Sequence, residues 1–93
     1  MQSLAELLPE LLREHLDRPE IQQEMMRIAW NQCVGQKIRA VSKPFSFHNG
    51  ILVVEVSHSQ WKTILASMKG EIVPKINRYL GKGLLKDLQI TVV

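Results

Sequence analysis

One cysteine, Cys33, stands among the 93 residues, so no disulfide can close within the chain and a reducing compartment is its natural setting. It sits in an apolar helical stretch with no His or Asp at a nucleophile's spacing, and reads as a buried structural thiol. No apolar run approaches the roughly 18 residues of a membrane-spanning helix. The opening stretch, MQSLAELLPELLREHL, is acidic and lacks a small-residue cleavage site, so it does not read as a secretory signal. The expectation is a cytoplasmic protein with no membrane partner. Low-complexity tracts, internal repeats and linker-like segments are also missing.

Catalytic groupings are equally scarce. His15, His48 and His58 fall on three different elements, and no cysteine or carboxylate cluster completes a metal set around them. Exposed or capping roles suit all three. Gly81-Lys82-Gly83 places a lysine between glycines, but the spacing is not that of a phosphate loop and the stretch follows a helix instead of opening one. It reads as a helix C-cap and turn. The sequence therefore implies no enzyme, no metal, no cofactor and no small-molecule substrate.

The length suits one domain over residues 1–93, and 45% hydrophobic residues suffice for a core without staples. The net charge of +3 is unevenly spread. Residues 1–30 carry six acids and three bases, a balance of −3; residues 31–93 carry nine bases and three acids, a balance of +6. Two surfaces with different partners would explain the asymmetry, the basic one meeting an anion such as nucleic acid. Ordinary solvated charge would explain it too.

Ser3-Leu4-Ala5-Glu6 has the form of a capping box opening an N-terminal helix over residues 1–18. Leu4, Leu7, Leu8, Leu11 and Leu12 follow at helical spacing, and Pro9 should kink that helix or start another. Asp17-Arg18-Pro19-Glu20 marks a restart. The second helix should run to about Val34, with Gly35 as its stop. Its two apolar stripes, Ile21, Met25 and Ile28 against Met26, Ala29, Trp30 and Cys33, suggest a helix sandwiched between the leucine helix and a sheet. Lys37-Ile38-Arg39-Ala40-Val41 then alternates, as does Leu52-Val53-Val54-Glu55-Val56, and Asn49-Gly50 between them signals a hairpin. Pro44 keeps the first strand off the sheet centre. Ser57 or Ser59 could cap a third helix bearing Trp61, Ile64, Leu65 and Met68, which Gly70 interrupts. A fourth carries Ile72, Val73, Ile76 and Leu80 and stops at Gly81. Leu88, Ile90 and Val92 alternate in a last strand, which crossover handedness returns parallel to the hairpin. The expected fold is α+β, a three-stranded mixed sheet with helices on one face. Trp30, Cys33, Leu52, Val54, Val56, Leu65, Ile76, Leu80 and Ile90 should form its core.

Several of these residues fall into an ordered series: Trp30-x-x-x-Val34-Gly35, Pro44, Gly50-x-Leu52-x-Val54-x-Val56, Ser59-x-Trp61-x-x-x-Leu65, Ile76-Asn77-x-x-Leu80-Gly81 and Ile90. Over about residues 25–93 the chain resembles the DciA family. The resemblance implies a KH-like domain, contact with the bacterial replicative DNA helicase, help in loading it, and affinity for single-stranded DNA. The element order read from the residues, α-α-β-β-α-α-β, is that of a type II KH domain. A KH nucleic-acid site uses a Gly-x-x-Gly loop between two helices. Here Ser67-Met68-Lys69-Gly70-Glu71 holds one glycine, so RNA binding in the KH manner is not expected. Many members also carry a further flexible segment, whereas this sequence stops on its last expected strand.

Two basic groups are the candidate nucleic-acid residues. Lys37 and Arg39, with Lys43 just beyond, should share the open sheet face with Ile51 and Val53, where cations around an apolar patch could hold phosphates and cover bases. Lys75, Arg78 and Lys82 should line the outer side of the fourth helix and its end, and an ordinary solvated helix face fits them as well. Trp61, in the first turn of its helix, is the candidate partner anchor together with Ile51 and Val53; core packing is its other reading. The leading function is a helicase-binding accessory protein that assists loading onto single-stranded DNA, with weak, sequence-independent binding of the strand. A stand-alone KH-like nucleic-acid module without a helicase partner is the alternative, and a purely structural protein–protein adaptor a third.

Overall fold

Pro9 cuts the leucine-rich start in two. In the computed structural model, which describes residues 4–93, α1 (Leu4–Leu7) and α2 (Glu10–Arg13) flank a proline held at φ −55° and ψ 147°, outside the helical region. The capping box expected from Ser3 lies outside the described residues. α3 (Pro19–Cys33) begins with its proline in the first turn, where the missing N–H costs nothing. It buries Met25, Met26, Ala29 and Trp30. α3 packs against the first strand of the sheet and against α6 (Lys69–Leu80), and α1 also packs on α6.

The segment after Gly35 departs from expectation. Residues 36–41 form a short helix, α4 (Gln36–Val41), and not a strand. The alternation of five residues was ambiguous, because Ile38 and Val41 are also i and i+3 on one helical turn. The Arg39 N–H closes that turn on the Gly35 carbonyl at 2.9 Å. The Arg39 guanidinium reaches back to the Asn31 carbonyl at 2.9 Å, a cation on the open C-terminal end of α3. The hairpin therefore starts later, with β1 (Ser42–His48) and β2 (Ile51–Val56). Pro44 lies within β1, which is an edge strand, and the register slips at the next residue so that Phe45 bulges out, 65% exposed.

Asn49 and Gly50 take φ of 53° and 81°, the pair of left-handed residues that a tight hairpin turn needs. α5 (Ser59–Ser67) follows with His58 at its cap position, so neither Ser57 nor Ser59 caps it. The break between α5 and α6 falls at Met68, two residues before Gly70, which lies in the first turn of α6. Gly81 ends α6 at φ 81°. β3 (Asp87–Val92) runs parallel to β2, so the sheet order is β1-β2-β3 and the sheet is mixed. This is the α+β, KH-like arrangement expected, with one extra short helix before the hairpin.

Side chains sort by strand parity. Phe47, Leu52, Val54, Val56, Leu88 and Ile90 are buried beneath the helices with Trp30, Leu65, Ile76, Leu80 and Leu85. The Trp30 indole donates to the Ser42 hydroxyl at 3.1 Å, and that hydroxyl donates to the Ile38 carbonyl. Cys33 is half-buried against this core, its thiol 3.9 Å from the Lys75 carbonyl, and burial pushes its pKa up. Asn77 clamps the connection into β3: its amide donates to the Leu85 carbonyl at 2.8 Å and its side-chain oxygen accepts from the Leu85 N–H at 2.9 Å.

Two substitutions test this packing. Val54→Ala removes two fully buried methyls and should cost about 1–3 kcal/mol in a denaturant titration; wild-type stability would show that the strand register is wrong. Asn77→Ala strands the backbone groups of buried Leu85 and should cost about 1–3 kcal/mol. Hydrogen exchange should then speed up at Leu85 while that of the β1–β2 hairpin is preserved.

Candidate partner and nucleic-acid surfaces

The uncovered sheet face carries Ile51 and Val53 at its centre. The pairing puts Lys43 beside Glu55 and Thr91, Ser46 beside Val53 and Gln89, and His48 beside Ile51 and Asp87. Because Lys37 and Arg39 stand on α4, this face holds one lysine against two carboxylates. It is not the basic face expected. Asp87 is itself engaged: it accepts the Leu88 N–H at 2.8 Å and pairs with Lys69 at 3.4 Å, and these contacts, the amide foremost, hold its carboxyl below the usual aspartate range.

The cations expected as one strand group are dispersed. Lys37 and Arg39 are exposed on α4, Lys43 on β1. Lys75 and Arg78 are exposed on α6, three residues apart and so on neighbouring positions of one helix face, and Lys82 follows the Gly81 cap. The fold does bring Lys75 to α4: a groove between them is lined by Cys33, Gly35, Ile38, Met68, Glu71 and Lys75. Glu71 partly offsets its charge.

The expected partner trio is also divided. Trp61 is the third residue of α5 and packs, half-buried, against the core on the helix-covered side. Ile51 (37% exposed) and Val53 face the other way. Nearer to Trp61 is Ile64, three residues on and 42% exposed. A second apolar surface, which the leucine spacing gave no reason to expect, lies at the N-terminus. Leu4 and Leu8 pack on the core, but Leu7 and Leu11 are more than 60% exposed.

Sequence reasoning passed over Lys86, which no spacing links to the other cations. Its backbone N–H donates to the Gly50 carbonyl at 2.8 Å, placing it over the hairpin turn beside His48. Only the parallel return of β3 brings the two together. Among the described residues no group of three or more His, Cys, Asp or Glu could hold a metal ion, and no helix is long and apolar enough to cross a membrane.

With this geometry in place, comparison with known proteins gives a consistent result. The family described as "Dna[CI] antecedent, DciA" matches residues 3–90, which extends the resemblance through the leucine segment that the motif series left out. A UPF0232 protein of Rhodococcus jostii is 34% identical over 73 residues, covering 78% of this chain and 39% of its own length. A UPF0232 protein of Mycobacterium ulcerans is 32% identical over 62 residues, covering 67% and 33%. One from Mycobacterium tuberculosis is 26% identical over 90 residues, covering 97% and 48%. The chain thus spans between a third and a half of the length of these relatives. The motif residues also have physical roles in the structure: Trp30 in the core, Gly50 in the turn, Asn77 in the clamp and Gly81 in the cap. The chain belongs to the DciA family.

Proposed function

We propose that the chain is a binding-only accessory protein that engages the bacterial replicative DNA helicase and assists its loading onto single-stranded DNA in replication. The observation that carries this reading is the DciA match over residues 3–90 on a KH-like fold. The domain would grip a helicase surface and favour a DNA-accepting state of the ring, while exposed cations guide the strand. No step requires chemistry from the chain itself.

Trp61 and Ile64 are the proposed helicase contact. A half-buried indole held by the core is a rigid anchor with little rotamer entropy to lose on binding, and Ile64 extends its apolar surface. Ile51 and Val53, on the open sheet face, offer a second contact for a partner that wraps the domain. The strand-guiding cations are Lys75 in the α4–α6 groove and Lys37 and Arg39 on α4, together with Arg78, Lys82 and Lys43.

Trp61→Ala should keep its circular dichroism and lose roughly thirtyfold or more in helicase affinity, about 2 kcal/mol. Ile64→Ala, at a more exposed position, should weaken binding without touching the fold. Unfolding of the first variant together with wild-type binding by the second would return Trp61 to the core and move the interface elsewhere. Binding of single-stranded DNA should be weak, indifferent to sequence, and steeply reduced by salt through counterion release. Lys37→Glu combined with Lys75→Glu should reduce it; affinity that held steady from low to physiological salt would exclude a cationic mechanism.

A further inference from the structure

A cleft opens between the hairpin tip and the α6–β3 connection. Gln22, His48, Asn49, Gly50, Gly83 and Lys86 contribute to its walls, and no carboxylate does. Three other surface clefts all carry one: Glu20 and Glu24 beside Phe45, Glu55 beside Val93, and Glu71 beside Lys75. An anion entering any of those would meet negative charge. In the hairpin cleft it would meet an ammonium, an imidazole and amides.

Lys86 is placed there by backbone constraints. The Gly50 carbonyl accepts the N–H groups of Lys86 at 2.8 Å and of Asp87 at 3.2 Å. A Cβ on Gly50 would fall 2.9 Å from Lys86 Cδ and 3.0 Å from Cγ, so the lysine stem lies directly against the turn. Glycine at this position therefore serves both the left-handed turn and the close passage of the lysine. The ammonium takes no part in the ion pairs Arg18–Glu20, Arg27–Glu24 and Lys69–Asp87, and so is not neutralised by them. Asparagine in the turn and histidine one residue before it also line the cleft and add hydrogen-bonding groups.

We propose that this cleft is a phosphate-binding subsite that takes one backbone phosphate of a nucleic-acid strand. Lys86 supplies the charge, and His48 and Asn49 supply donors to the phosphate oxygens. Contact of this kind positions a strand without reading its sequence. The inference rests on the single-stranded DNA binding proposed above and adds to it a contact at the hairpin end, away from the α4–α6 groove.

The test is fluorescence anisotropy of a labelled oligothymidylate against the full chain over a series of salt concentrations. Lys86→Gln should weaken binding about threefold to tenfold and lower the magnitude of the salt slope by about 0.7, the change that loss of one phosphate contact gives on a single strand. His48→Ala should weaken it less, and Lys62→Gln, a lysine on α5 outside the cleft, should have a smaller effect than Lys86→Gln. The oligonucleotide should also shift the amide resonances of His48, Asn49 and Lys86, with inorganic phosphate alone giving weak shifts at the same positions. A Lys86→Gln variant with wild-type affinity and slope, while the wild type binds, overturns the subsite and leaves the proposed function standing. Shifts with inorganic phosphate but none with the oligonucleotide would make the source a free phosphate and overturn the strand contact. A wild type that binds no oligonucleotide at low salt overturns both readings.

Discussion

The burial of Trp30 is the constraint on which the rest of the structure depends. Its ring is fully enclosed, so its indole N–H must find a partner inside the protein. Ser42 provides it, and the Ser42 hydroxyl in turn donates a hydrogen bond to the Ile38 carbonyl. Three elements are tied at that point: α3 through the indole, α4 through the carbonyl, and β1 through its first residue. The turn from α4 into the sheet is thereby set where the largest side chain of the core requires it, and Val54 and Val56 of the central strand complete the same buried cluster.

A second set of constraints works at the other end of the sheet. The parallel strand β3 must return beside β2 after a helix, and its entry is held twice. Asn77 pairs with both backbone groups of Leu85, and the Gly50 carbonyl accepts from Lys86 and Asp87. A left-handed turn glycine thus has a long-range role besides its local one. The same contacts assemble the hairpin cleft, so the packing that closes the fold also creates the proposed anion site.

Much of the fold was legible because the signals were local. Pro9, Pro19, Asn49-Gly50 and Gly81 act through their own backbone angles, and the structure uses each as the residue type implies. The strand alternation of residues 52–56 holds because Leu52, Val54 and Val56 share a buried face. Residues 37–41 misled because five residues with apolar side chains at three positions fit a strand and a helical turn about equally. What decides between them is the Arg39 contact with the end of α3 and the Trp30–Ser42 bond, both invisible to periodicity. The basic sheet face expected from Lys37 and Arg39 went with that strand.

Composition and spacing along the chain specify a helix-covered mixed sheet, most of the residues that fill its core (Cys33, half-buried, being an exception), and the DciA series. Those features rest on local backbone preferences and on the separation of apolar from polar side chains. Tertiary structure alone decided that Trp61 is half-buried and faces away from Ile51 and Val53, that Lys75 meets α4 across a groove, and that Lys86 stands with His48 in a cleft free of carboxylates. Each of these depends on groups far apart in the chain whose distance is set by packing, and no spacing along the sequence encodes that distance.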